Sequence, residues 1–136
     1  MAVKKGYGWG VASPTKLKSK KMDATEKAEI ELKFKDKLDH INAAIAKQEK
    51  TIDINYQDEF YLSWYRSFLY VCCRYVRLDG QTFDEKTGRI GFNDDGTAST
   101  AYMRHTDQWW TIHESLSVED AIKEVLDNEI YWAWYF

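Results

Sequence analysis

The chain predicts an α+β domain built as an N-terminal helix, an antiparallel β-meander of about four strands and a C-terminal helix. Three observations support this. Ile30, Phe34, Leu38, Ile41 and Ile45 recur at spacings of four, four, three and four, which is one face of an α-helix. The stretch Phe60–Val76 is rich in aromatic and β-branched residues, and short strands punctuated by turn residues, above all Asp94-Asp95-Gly96, follow it as far as His113. A second helical stripe, Val118, Ile122, Val125 and Leu126, then follows Ser117.

At 136 residues the chain is one domain with an appendage: a basic extended tail over residues 1–21 and a single folded unit over 22–136. Lys4, Lys5, Lys16, Lys18, Lys20 and Lys21 give the tail +6 with no acid. Removing these six from the nineteen Lys and Arg leaves thirteen against twenty-two acidic side chains, so the body is at −9 and the overall −3 conceals a polarity. Glycines, Tyr7 and Trp9 give the tail no apolar period from which to build a core, so it is expected to stay mobile until an anionic or concave surface receives it. Aromatic residues are 15% of the chain, so the core must be built largely from rings whose polar tips sit at its boundary.

Taken in order, Pro14 biases Ser13 toward extended backbone. Asp23 offers an N-cap with Glu26 three residues on, a capping box that opens a helix over about residues 23–48. Glu29 with Lys33 and Glu31 with Lys35 are favourable i,i+4 pairs, although Ile30, Leu32 and Phe34 also alternate as a strand would. Phe60–Val76 reads as one long bent strand or as two strands. Read as one strand, Phe60, Leu62, Trp64, Phe68, Tyr70 and Cys72 share a face with Arg66 and Arg74, and Tyr61, Tyr65, Leu69, Val71, Cys73 and Tyr75 share the other. Arg89–Asn93 is a short strand, Asp94-Asp95-Gly96 a hairpin turn, and Thr97–His105 the next strand. A second turn at Thr106-Asp107 leads to a strand over Gln108–His113, after which Ser117 caps the last helix. The chain ends in the apolar run Ile130–Phe136. A free end of that kind needs covering, by packing back on the sheet or by a second chain.

The chemistry-bearing groups are few. Arg104, His105 and His113, with Asp107 and Glu114, form the one cluster able to do acid–base work, a weak catalytic candidate with no paired nucleophile. His40 falls on the solvated side of the first helix. Cys72 and Cys73 are adjacent and so point to opposite faces of a strand, which suits neither a disulfide nor a zinc site. They read as one buried and one half-buried thiol in a reducing compartment. No Walker loop, dinucleotide fingerprint or His-Glu zinc motif is present, so no cofactor and no metal are expected. No apolar stretch long enough for a membrane span occurs, and the expected location is the cytoplasm.

These features suggest a non-catalytic adaptor or accessory subunit whose partner is another protein or a second copy of the chain. The expected partner-binding residues are Tyr7, Trp9, Lys16, Lys18, Lys20, Lys21, Trp110, Trp132 and Trp134. Adjacent Trp109 and Trp110 must face opposite ways, and a sheet that is aromatic on both faces needs cover on both. Nucleic acid, held through the lysine tail, is the alternative partner. The segment Gly88–Phe92 lacks the aromatic pattern of an RNA-binding sheet motif, and a body at −9 repels polyanions except near the tail. A small hydrolase or nuclease using His105, His113 and Arg104 is a further alternative.

Overall fold

The computed structural model describes residues 13–14, 18–48, 56–103, 108–128 and 131. The first helix, α1, runs Ala24–Lys47 and starts from the expected capping box: Glu26 N–H donates to Asp23 Oδ1 at 2.8 Å, and Asp23 N–H to Glu26 Oε1 at 3.2 Å. The periodic face is the buried one. Ile30, Phe34 and Ile45 are buried, with Leu38 and Ile41 packed against the same core. Leu32 is 71% exposed, so the local alternation does not set the structure.

The sheet is a five-stranded meander, β2 (Tyr56–Tyr65), β3 (Phe68–Val76), β4 (Thr82–Phe92), β5 (Ala98–Met103) and β6 (Trp109–Leu116), against the four strands expected. A two-residue strand, β1 (Ser13–Pro14), pairs antiparallel with β6, giving the order β1-β6-β5-β4-β3-β2. Residues 60–76 form two strands joined at Arg66-Ser67, where Tyr65 pairs with Phe68. Both turn residues have positive φ, 50° and 71°, as the primed turn of a two-residue hairpin requires.

That turn overturns the expected face assignment. A two-residue loop makes Phe60 face Cys73, Leu62 face Val71 and Trp64 face Leu69, so even positions before the turn share a face with odd positions after it. Phe60, Leu62 and Trp64 therefore lie with Leu69, Val71, Cys73 and Tyr75, while Tyr61 and Tyr65 lie with Phe68, Tyr70, Cys72 and Arg74. The strand expected at Arg89–Asn93 begins seven residues earlier, at Thr82. Its first half is polar because it pairs with β3 alone; β5 joins it from Gly88 onward. Asp94-Asp95-Gly96 forms the expected turn: Asn93 N–H bonds Thr97 O at 2.9 Å, and Gly96 takes φ 88°. The turn expected at Thr106-Asp107 lies outside the described residues.

Helix α2 (Val118–Asp127) is capped by Ser117 Oγ, which accepts from Asp120 N–H at 3.1 Å. Its buried stripe is Ala121, Ile122, Val125 and Leu126. Both helices pack on one face of the sheet, over a core of Phe34, Leu69, Val71, Ile90, Ala98 and Val125. Val125 sits so close over β4 that a Cβ at Gly88 would come within 3.2 Å of it. Of the apolar run at the C-terminal end, Tyr131 is described: it is 1% exposed in this core, its hydroxyl 2.8 Å from Thr100 Oγ1. Both cysteines are buried and free, where one half-buried thiol was expected. Each lies between strand neighbours on its own face. Among the described residues, no helix is long and apolar enough to cross a membrane.

Candidate binding face

Because both helices share one side, the opposite side of the sheet has no helix over it among the described residues. The hairpin register gathers there Tyr61 and Tyr65 from β2, Phe68, Tyr70 and Arg74 from β3, Asp84, Lys86 and Arg89 from β4, and Trp109 from β6. The Arg66 guanidinium, at the turn, is 5.2 Å from the Tyr65 ring centre. Lys86 Nζ stands 4.7 Å from the Tyr70 ring and 5.8 Å from that of Tyr65. The Arg89 guanidinium lies 4.2 Å from the Phe68 ring and 4.9 Å from that of Trp109. Tyr70 and Trp109 meet at 5.5 Å across the two strands between them. Gly91 makes room for this layer: a Cβ there would approach Phe68 Cε1 to 3.0 Å and Ser99 Oγ to 2.7 Å.

The two ends of the face differ electrostatically. Toward the β2 edge the charges satisfy one another: Arg74 pairs with Glu59 at 3.5 Å and Asp84 at 3.3 Å, and the Tyr61 hydroxyl donates to Asp84 at 2.7 Å. Burial, with the bond to Asp84, pushes the Tyr61 phenol up to about 12. Cys72 sits in the same layer, its thiol pushed up to about 11 by burial and drawn back in part by Lys86. Toward the β2–β3 turn the rings carry cations, and Arg66 and Arg89 have no carboxylate partner among the described residues. The Arg66 and Arg89 guanidinium groups are held over rings by the quadrupole without losing their charge, so their N–H donors stay available.

The leader meets this cationic end. Ser19 Oγ donates to Ser67 O at 2.7 Å and accepts from Phe92 N–H at 2.9 Å, and Lys20 N–H bonds Phe92 O at 2.8 Å. Met22 is buried in the core. The leader's backbone is thereby anchored beside the Arg66-Ser67 turn; Lys18 and Lys21 are exposed, whereas the Lys20 ammonium pairs with Glu26 at 3.2 Å.

Of the other sequence candidates, Trp110 and His113 are described. Trp110 lies on the helix-covered side against the core, and Trp109 is the one on the open face. His113 is opposite Thr100, its Nε2 3.5 Å from Glu124 Oε1 on α2. Tyr7, Trp9, Lys16, Arg104, His105, Trp132 and Trp134 lie outside the described residues. No group of three or more His, Cys, Asp or Glu among the described residues is placed to hold a metal ion. Sequence reasoning missed Arg66, Phe68, Lys86 and Arg89. The signal that would have found them is the parity change at a two-residue turn, which Arg66-Ser67 does not advertise. Comparison with family models, curated proteins and solved structures finds no match to this chain.

Proposed function

We propose that this protein is a non-catalytic binding module that receives an anionic partner on the helix-free face of its sheet, with the lysine leader extending that surface. The observation that supports this reading is the layer of Tyr65, Phe68, Tyr70 and Trp109 interleaved with Arg66, Lys86 and Arg89. Aromatic rings and arginine are the residue types that anchor interfaces, and here they occur together on a surface that neither helix uses. The partner is an adaptor's client, a second copy of the chain or nucleic acid, met in the reducing cytoplasm where free Cys72 and Cys73 persist.

The test is a triple charge reversal, Arg66→Glu, Lys86→Glu and Arg89→Glu, in a tagged protein whose fold is checked by circular dichroism. Material that co-purifies with wild type from its native extract should be absent from the variant. The same co-purifying material and the same solution mass for both proteins would exclude this face as the binding surface.

A further inference from the structure

Resting on that reading, we infer that the ligand of the helix-free face is single-stranded nucleic acid. Tyr65, Phe68 and Trp109 are its stacking platforms. Arg66, Lys86, Arg89, Lys18 and Lys21 are its phosphate contacts. Three independent observations converge on this class. The first is the pairing of chemistries: each cation lies against the flat surface of a ring, and two rings lie within 5 Å of the one Arg89 guanidinium. A nucleotide chain presents the complementary alternation, a planar base and then a phosphate, at every step. An acidic peptide offers the charge without the plane. Duplexes offer the phosphate but keep their bases stacked inside, so the 53% exposed Tyr65 ring has nothing to stack on.

The second observation is where the acids are. The α2 segment carries Glu119, Asp120, Glu124 and Asp127 against Lys123, and it packs on the far side of the sheet. The α2 share of the acidic body's repulsion therefore originates behind the sheet, where salt screens it over a Debye length of about 8 Å, and Glu59 and Asp84 on the open face are paired with Arg74. The third is the Ser19 clasp onto Ser67 and Phe92. It ties the leader's backbone to the turn that carries Arg66, and Lys18 and Lys21, one and two residues from Ser19, are exposed. The basic leader and the aromatic strands are then two parts of one site.

Binding is measured by fluorescence anisotropy with a fluorescein-labelled oligouridine of about twenty nucleotides and the full chain at several salt concentrations. Five phosphate contacts predict a slope of log affinity against log salt of about −3.5. Tyr65→Ala, on an exposed ring, should weaken binding about tenfold with little change in the salt slope. Arg66→Glu should weaken it at least as much and flatten the slope by about one or more. Lys33→Glu, on α1 and away from this face, should do neither. A polyglutamate of the same charge should compete far less well than unlabelled oligouridine, and a duplex of the same length should bind more weakly. No binding at about 50 mM salt, or equal binding by Tyr65→Ala and wild type, overturns the inference. Polyglutamate that competes equally, with both interactions lost in Arg66→Glu, overturns the nucleic-acid assignment and leaves the face as the binding surface for an acidic protein. If the charge-reversed triple variant also retains every native partner, the binding-face reading falls with it.

Discussion

Raising the pH should destabilise this protein through Cys72 and Cys73. The two thiols are 4% and 0% exposed, on opposite sides of β3, and neither can reach water as a thiolate. Burial pushes Cys72 from 9.0 to about 11 and Cys73 from 9.0 to about 12. Above pH 9 the unfolded chain releases these protons and the folded chain keeps them, so stability is full below pH 9 and falls as the pH rises toward 11–12. Each retained proton contributes a slope of about 1.4 kcal/mol per pH unit, so the pair removes about 3 kcal/mol by pH 10. That is a large share of a typical total of about 5–15 kcal/mol. The assay is urea unfolding followed by circular dichroism, under reducing conditions, for wild type and for Cys72→Ala/Cys73→Ala at pH 7.5, 9 and 10. Subtracting the two curves cancels the tyrosines and lysines that also titrate at high pH. The wild type should lose about 3 kcal/mol more than the variant between pH 7.5 and 10. A difference constant to within about 0.5 kcal/mol would refute the reasoning, because it would mean that these thiols ionise as easily in the folded chain as in the unfolded one.

Other perturbations test single links of the fold. Thr100→Val leaves the buried Tyr131 hydroxyl without its 2.8 Å partner and should cost about 1–3 kcal/mol. With Tyr131→Phe added, chemical denaturation should show a total cost below the sum of the two single changes. Ser67→Gly should stabilise by about 0.5–1 kcal/mol in the same assay, since relief of a left-handed residue exceeds the entropy that glycine adds to the unfolded chain. Asp23→Ala removes one half of the capping box and should lower stability by about 1 kcal/mol.

Elements whose signals are local were legible in the sequence. The capping box at Asp23 and Glu26, the Ser117 cap and the turn glycine at Gly96 rest on bonds spanning two to four residues, and each stands where the spacing put it. The periodic face of α1 was legible for the same reason. The stretch that resisted reading was Phe60–Val76, which is apolar at nearly every position and so gives no period. Its turn is made by Arg66-Ser67, residues without the Asn-Gly or Asp-Gly signature that positive φ usually demands. The first half of β4 was missed because Asp84, Glu85 and Lys86 look like loop, although β3 pairs with them residue by residue.

The candidate face was illegible for a deeper reason. Arg89 meets Phe68 and Trp109, and Tyr70 meets Trp109, across separations of twenty to forty residues, and such meetings depend on register. The amino-acid order by itself determined the α+β class, both helices with their caps, and the presence of a lysine leader ahead of a ring-rich body. Tertiary structure alone decided which rings face the helices, which face away, and that Ser19 ties the leader to the Arg66-Ser67 turn. A two-residue turn exchanges odd for even along every position that follows it, and only the paired strands reveal that the exchange has happened.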